Sequence, residues 1–114
     1  MSPSLLDYLR HMRDECRYLM DASAGLEQSA FFQDETFKRA FVRSIKVIGE
    51  AAKQVPDDFR TRYPQIEWRA IAGMRDRLIH SYFGIDYYIV WDVVSNKIPA
   101  PYQELVRILQ KESR

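Results

Sequence analysis

The sequence predicts an all-α fold: an antiparallel bundle of four principal helices with an additional helix at the C-terminus. Three observations predict it. Only four glycines interrupt 114 residues. Apolar residues recur at three- and four-residue steps, the period of a helix that buries one face. Alternating β-branched residues, the mark of half-buried strands, are scarce.

Each element has its own signals. Ser2 and Pro3 suit an N-cap and a first turn. Leu5, Leu9, Met12, Cys16 and Leu19 then form a helical stripe, with Gly25 as its stop. A second helix starts near Asp34 and carries Phe37, Phe41, Ile45, Ile48, Ala52 and Val55 inward until Pro56 ends it. "PDDFRTRYP" reads as a turn or single helical turn. A third long helix is expected from Pro64 or Gln65 to Phe83, closed by Gly84. Asp86 caps a fourth, running from Tyr87 to about Asn96. A last helix restarts after Pro101 with Leu105, Ile108 and Leu109 facing inward. No repeat or linker divides the chain, so residues 1–114 form one domain.

Composition narrows the function classes. An apolar share of 46% is that of a globular chain. A formal net charge of +1 gives bulk electrostatics no preference for nucleic acid or membrane, so any nucleic-acid contact requires a local patch. Cys16 is the single cysteine, which rules out an intrachain disulfide and a four-cysteine zinc site. The first fifteen residues lack the apolar core of a secretory signal, and no apolar run reaches the roughly 20 residues that span a bilayer. A cytoplasmic protein with no membrane partner is the expectation.

The stretch "GMRDRLIHSYFGIDYYIVWDVV", residues 73–94, departs from plain amphipathic patterning. On a regular helix of about 100° per residue, Trp68, Ile71, Met74, Leu78 and Ile79 define the buried face. Arg75 then falls inside that face and Tyr82 close to its centre. His80 lies nearly opposite, with Asp76 and Gly73 beside it. Asp76 and His80 would be an i,i+4 pair in which the carboxylate holds the imidazole. Gly73 removes bulk from the same side and so admits a second backbone. An arginine on a core face calls for an anion to meet it. The plain alternatives are a surface histidine, an arginine lying along the rim and a core tyrosine, and the angles alone do not choose between them. Cys16 sits on an apolar stripe and reads as packing. Two histidines, His11 and His80, leave little material for a transition metal, and there is no phosphate loop, nucleophile elbow or H-E-x-x-H pair.

"RDRLIHSY" fits R-x4-H-x-Y, with Arg75, His80 and Tyr82 at the fixed positions. Together with "VIGEAAKQVP", "IEWRAIAGMRDRLIHSYFGID" and "IVWDVV", it resembles the HepT-like branch of the HEPN superfamily, over most of the chain from the first helix to about Val94. The resemblance implies a HEPN-like bundle and a metal-independent endoribonuclease needing no cofactor. It implies the toxin of a type VII toxin–antitoxin module, acting on tRNA or mRNA. The implied partner is a nucleotidyltransferase antitoxin of the MntA type, which silences the toxin by AMPylation of the motif tyrosine. Carried over residue by residue, Arg75 and His80 are the catalytic pair, Asp76 is the functional polar neighbour, and Tyr82 is the modified residue.

Elementary chemistry fits that assignment. RNA cleavage without metal needs a base for the 2′-hydroxyl proton, an acid for the leaving 5′-oxygen and a cation for the phosphorane. His80 can move protons near neutral pH, and Arg75 can clamp a phosphate with two N–H donors. One chain offers one such histidine, so a homodimer with a composite cleft is expected, with Gly73 as the dimer contact and a larger assembly with the antitoxin left open. The competing class is a dimeric helical adaptor that binds a nucleotidyltransferase without turnover.

Overall fold

In a computed structural model, residues 4–80 and 84–113 are described, His80 through its backbone alone. The helices are α1 (Leu5–Ser23), α2 (Gln28–Gln33), α3 (Glu35–Lys53), α4 (Asp57–Arg62), α5 (Trp68–Ala72), α6 (Met74–Leu78), α7 (Tyr87–Asp92) and α8 (Pro99–Glu112). Two-residue strands β1 (Ile79–His80) and β2 (Gly84–Ile85) pair antiparallel, and a π-helical turn, Val93–Lys97, joins α7 to α8. The expected all-α bundle with an extra C-terminal helix is the fold.

α1 and α3 form its spine, and their direction follows from side-chain pairs. Tyr18 meets Phe41, Glu15 accepts the Ser44 hydroxyl at 2.7 Å, and Tyr8 and His11 lie opposite Glu50 and Gln54. Rising numbers on one helix meet falling numbers on the other, so the pair is antiparallel. Ser44 is buried, and its bond to Glu15 satisfies a hydroxyl that the apolar seam would otherwise strand. α8 packs on α1, and α5 and α6 pack on α3. Leu9, Met12, Leu19, Phe31, Phe41, Ile45, Ile48, Leu78, Leu105 and Ile108 fill the core between them.

Local chemistry sets the ends. Ser4, rather than the expected Ser2, caps α1: its hydroxyl takes the Asp7 N–H while the Asp7 carboxylate takes the Ser4 N–H. Ser2 and Pro3 lie outside the described residues. Gly25 stops α1 with φ of 75°, a conformation glycine adopts without strain. Asp34 caps α3 through the Phe37 N–H at 2.9 Å. At the far end of α3, the Arg60 guanidinium donates to the carbonyls of Val55 and Ala52, satisfying acceptors the helix leaves open. Asp86 caps α7 through the N–H groups of Tyr88 and Ile89.

Two expectations are corrected, and one element was not expected. The third long helix is absent as drawn: residues 64–67 form a turn, Gly73 (φ −93°, ψ 0°) breaks the helix into α5 and α6, and α6 stops at Leu78. α8 begins at Pro99 and not after Pro101, because proline in the first turn forfeits only amide donors that would have no partner there. The six-residue α2 had no sequence forecast. Phe31, fully buried and stacked at 5.1 Å on Phe41, is what folds it onto the bundle.

Candidate active site

The motif spans the junction where α6 gives way to the β1–β2 hairpin. α6 anchors by its apolar side: Met74 and Leu78 are buried, as are Trp68 and Ile71 on α5. The buried face predicted for this segment is therefore correct at four positions. α6 ends because Ile79 turns to extended backbone (φ −102°, ψ 117°), its N–H still bonded to the Arg75 carbonyl. Ile79 pairs with Ile85 and His80 with Gly84, and the Asp86 N–H closes the ladder on the Leu78 carbonyl at 2.8 Å. The backbone of His80 is thus paired into a two-residue ladder directly after α6. Tyr82 lies outside the described residues, as does the side chain of His80.

The helical angle for Arg75 fails beyond the break, while Asp76 is exposed as its angle predicts. Arg75 is not on a core face: its side chain is 41% exposed, and among the described residues its carboxylate partner is the adjacent Asp76, at 3.4 Å. Asp76 is itself 70% exposed. The anion that a buried arginine would have required is therefore not needed for folding. The expected i,i+4 pair of Asp76 and His80 does not form as a helical pair either, since the helix ends at Leu78 and His80 stands in β1. Arg75 and Asp76 share the exposed side of α6, and the hairpin stem brings the His80 backbone to its end. An exposed guanidinium held by one long ion pair in water loses little when it turns to another anion.

Gly73 bends the chain, and no neighbouring element of the same chain crowds it. A Cβ there would meet the Arg69 carbonyl at 3.5 Å, an ordinary contact, so no neighbouring helix presses on it. Its structural task is the bend between α5 and α6. Close helix approach belongs instead to Gly49 on α3, where a Cβ would meet the carbonyls of Ile71 and Ala72, both at 3.5 Å. That contact seats α5 on α3 and so fixes where α6 and the motif emerge.

Other groups with chemical potential are accounted for. Cys16 is buried on α1, and burial together with the Glu15 charge pushes its thiol up to about 12, so it stays protonated as packing. No group of three or more His, Cys, Asp or Glu among the described residues is arranged to hold a metal ion. Among them, too, no helix is long and apolar enough to cross a membrane. A cleft of about 560 Å³ opens between α5–α6 and the start of α8, walled by Ile71, Met74 and Pro101, but Arg75 and Asp76 do not line it. Arg75 and Asp76 sit on an open surface.

A helical bundle that presents an arginine on the exposed side of one short helix, five residues before a histidine on the strand that follows, defines the class of protein. The chain belongs to the HepT-like family, described as "Ribonuclease HepT-like", whose model matches residues 12–108. It is 44% identical over 105 residues to a protein of Caldanaerobacter subterraneus subsp. tengcongensis named "Putative RNase", covering 92% of this chain and 94% of that one. It is 42% identical over 106 residues to a "Putative RNase" of Methanocaldococcus jannaschii, with 93% and 84% covered. It is 36% identical over 100 residues to the "Probable ribonuclease HepT" of Thermococcus cleftensis, with 88% and 91% covered. No solved structure matches the chain significantly.

Proposed function

We propose that this protein is an endoribonuclease that cleaves RNA without a metal ion. The observation that carries the reading is Arg75: an exposed guanidinium with one long tether, placed by α6 just ahead of the His80 backbone. In the proposed reaction one imidazole takes the proton of the 2′-hydroxyl. The 2′-oxygen forms a bond to phosphorus, the bond to the 5′-oxygen breaks, and a second proton donor protonates that leaving oxygen. The products are a 2′,3′-cyclic phosphate and a free 5′-hydroxyl. Arg75 stabilises the charge gathered on the phosphorane oxygens, an effect worth roughly 2.7–4 kcal/mol for one well-placed donor. Asp76, which holds Arg75 at rest, orients the guanidinium toward the scissile phosphate.

The second proton carrier is the His80 of another copy. In this reading a homodimer brings two α6–hairpin junctions into one cleft. Gly73, whose Cβ position meets only the carbonyls of Arg69 and Ala70, is the dimer contact. The protein acts as the toxin of a two-component module with tRNA or mRNA as substrate. Its antitoxin is a small nucleotidyltransferase of the MntA type that transfers AMP from ATP to the Tyr82 hydroxyl and releases pyrophosphate. A phosphate-bearing adduct two residues from His80 competes for Arg75 and blocks RNA.

The test is cleavage of end-labelled tRNA and mRNA by purified protein in EDTA, wild type beside His80→Ala. Cleavage by wild type alone, leaving cyclic-phosphate ends, is the expected result. Cleavage that requires added metal, or that survives His80→Ala, refutes the mechanism. Binding of the nucleotidyltransferase with no cleavage under any condition would instead identify a non-catalytic adaptor.

A further inference from the structure

A net charge of +1 leaves nucleic-acid binding to a local patch, and α3 carries one. Arg39, Arg43 and Lys46 are all exposed, and steps of four and three residues align them along one side of the helix. Among the described residues, none of the three has a carboxylate within ion-pairing distance. Arg10, Arg13, Lys38, Lys53, Arg62 and Arg107 are each matched to an acid, whereas the exposed Arg69, Arg77 and Lys97, off α3, are like the stripe in having none among the described residues. Arg43 and Lys46 line one wall of a groove of about 510 Å³ between α3 and α1. Tyr8 and His11 line the other, their rings edge to face at 6.5 Å. The one carboxylate in the groove, Glu50, is paired with Lys53 at 3.3 Å.

We infer that this cationic stripe is an RNA-backbone track outside the motif, binding the phosphodiesters of a single strand that extends beyond the cleavage point. Charge complementarity identifies the occupant. Three unpaired cations span about 10.5 Å of helix axis at 1.5 Å per residue, enough for about three phosphates at the 3.4 Å axial spacing of a duplex strand. The half-buried Tyr8 and exposed His11, both lining the groove, give adjoining bases an aromatic edge. The stripe also lies on the helix on which α5 and α6 pack: a Cβ on Gly49, three residues after Lys46, would meet the carbonyl of Ala72, three residues before Arg75. The inference rests on the ribonuclease reading and adds to it a length requirement. RNA long enough to reach α3 is held more tightly than a fragment that fills only the cleavage site.

The experiment compares wild type with Arg39→Gln/Arg43→Gln/Lys46→Gln on a 5′-labelled 20-mer and a 4-mer of single-stranded RNA. KM and kcat are measured across a salt series. Binding of the 20-mer is read separately by fluorescence anisotropy in the His80→Ala background. Each phosphate contact on a single strand contributes about 0.7 to the log–log salt slope, so three lost contacts flatten it by about two and weaken binding on the order of 50-fold at 0.15 M salt. The expected result is that loss for the 20-mer, in KM and not in kcat, with the 4-mer unchanged. Arg39→Lys/Arg43→Lys, which keeps the charge, retains wild-type affinity. An unchanged slope for the 20-mer overturns the inference, as does a variant whose defect is a change in sedimenting mass, which would make the stripe a protein interface. A wild type that cleaves neither RNA refutes the ribonuclease reading, whereas the anisotropy slope still decides the track.

Discussion

Arg75→Gln separates a residue kept for chemistry from one kept for the fold. The guanidinium is 41% exposed and pairs with a 70% exposed carboxylate at 3.4 Å. An ion pair that open to water contributes roughly 0–1 kcal/mol, and salt reduces it further. For a domain of this size 1 kcal/mol moves Tm by about 4 °C, so the variant melts within about 4 °C of wild type. Cleavage behaves differently. Removing one preoriented donor from a transition-state anion lowers kcat about 10²–10³-fold. Leu78, three residues on and fully buried, supplies the contrast: Leu78→Ala costs about 2–5 kcal/mol and melts far lower. The assay is thermal unfolding by circular dichroism beside single-turnover cleavage in EDTA. Normal cleavage by a folded Arg75→Gln protein would sink the assignment. A melting loss comparable to that of Leu78→Ala would show that Arg75 is structural after all.

Further outcomes follow from other positions. Gly49→Leu forces a side chain onto the Ile71 and Ala72 carbonyls and lowers stability by about 1–3 kcal/mol in urea unfolding, whereas Gly73→Leu leaves the monomer nearly as stable but shifts sedimentation from dimer to monomer. A dimer that survives Gly73→Leu removes that residue from the interface. Tyr82→Phe retains RNA cleavage and no longer gains the mass of AMP when incubated with the nucleotidyltransferase and ATP; loss of cleavage by this variant contradicts the division of roles. Cys16 titrates near 9.0 in an unstructured chain and about 12 when folded, so the folded state holds its proton longer. Stability from this group is full below pH 9 and declines as pH rises toward 12, by up to about 1.4 kcal/mol per pH unit. Cys16→Ala removes that slope, seen as the difference between the two proteins' urea midpoints at pH 8 and 10.5.

The spine was legible in the sequence because a long helix repeats its apolar residues enough times to declare a face. The stripes of α1 and α3 are where their spacing puts them, and Asp34, Gly25 and Asp86 mark ends through side-chain or backbone chemistry that acts within four residues. The motif's residue types and spacing were equally legible, and they carry the family. What the sequence left open was geometry around Gly73. Periodicity assumes one continuous helix, and it placed Arg75 inward and kept His80 on the helix by extending a 100° step across a break. Gly73 bends the backbone, β1 leaves the helix after Leu78 to pair with β2, and both depend on partners distant in sequence: Gly49 beneath α5, and the Gly84–Ile85 strand. The short α2 escaped notice for the same reason, since six residues are too few to show a period and Phe31 folds onto Phe41 across the core. Residue chemistry is local and can be read along the chain. Exposure and direction depend on what packs against each residue, and that was decided only when the helices met.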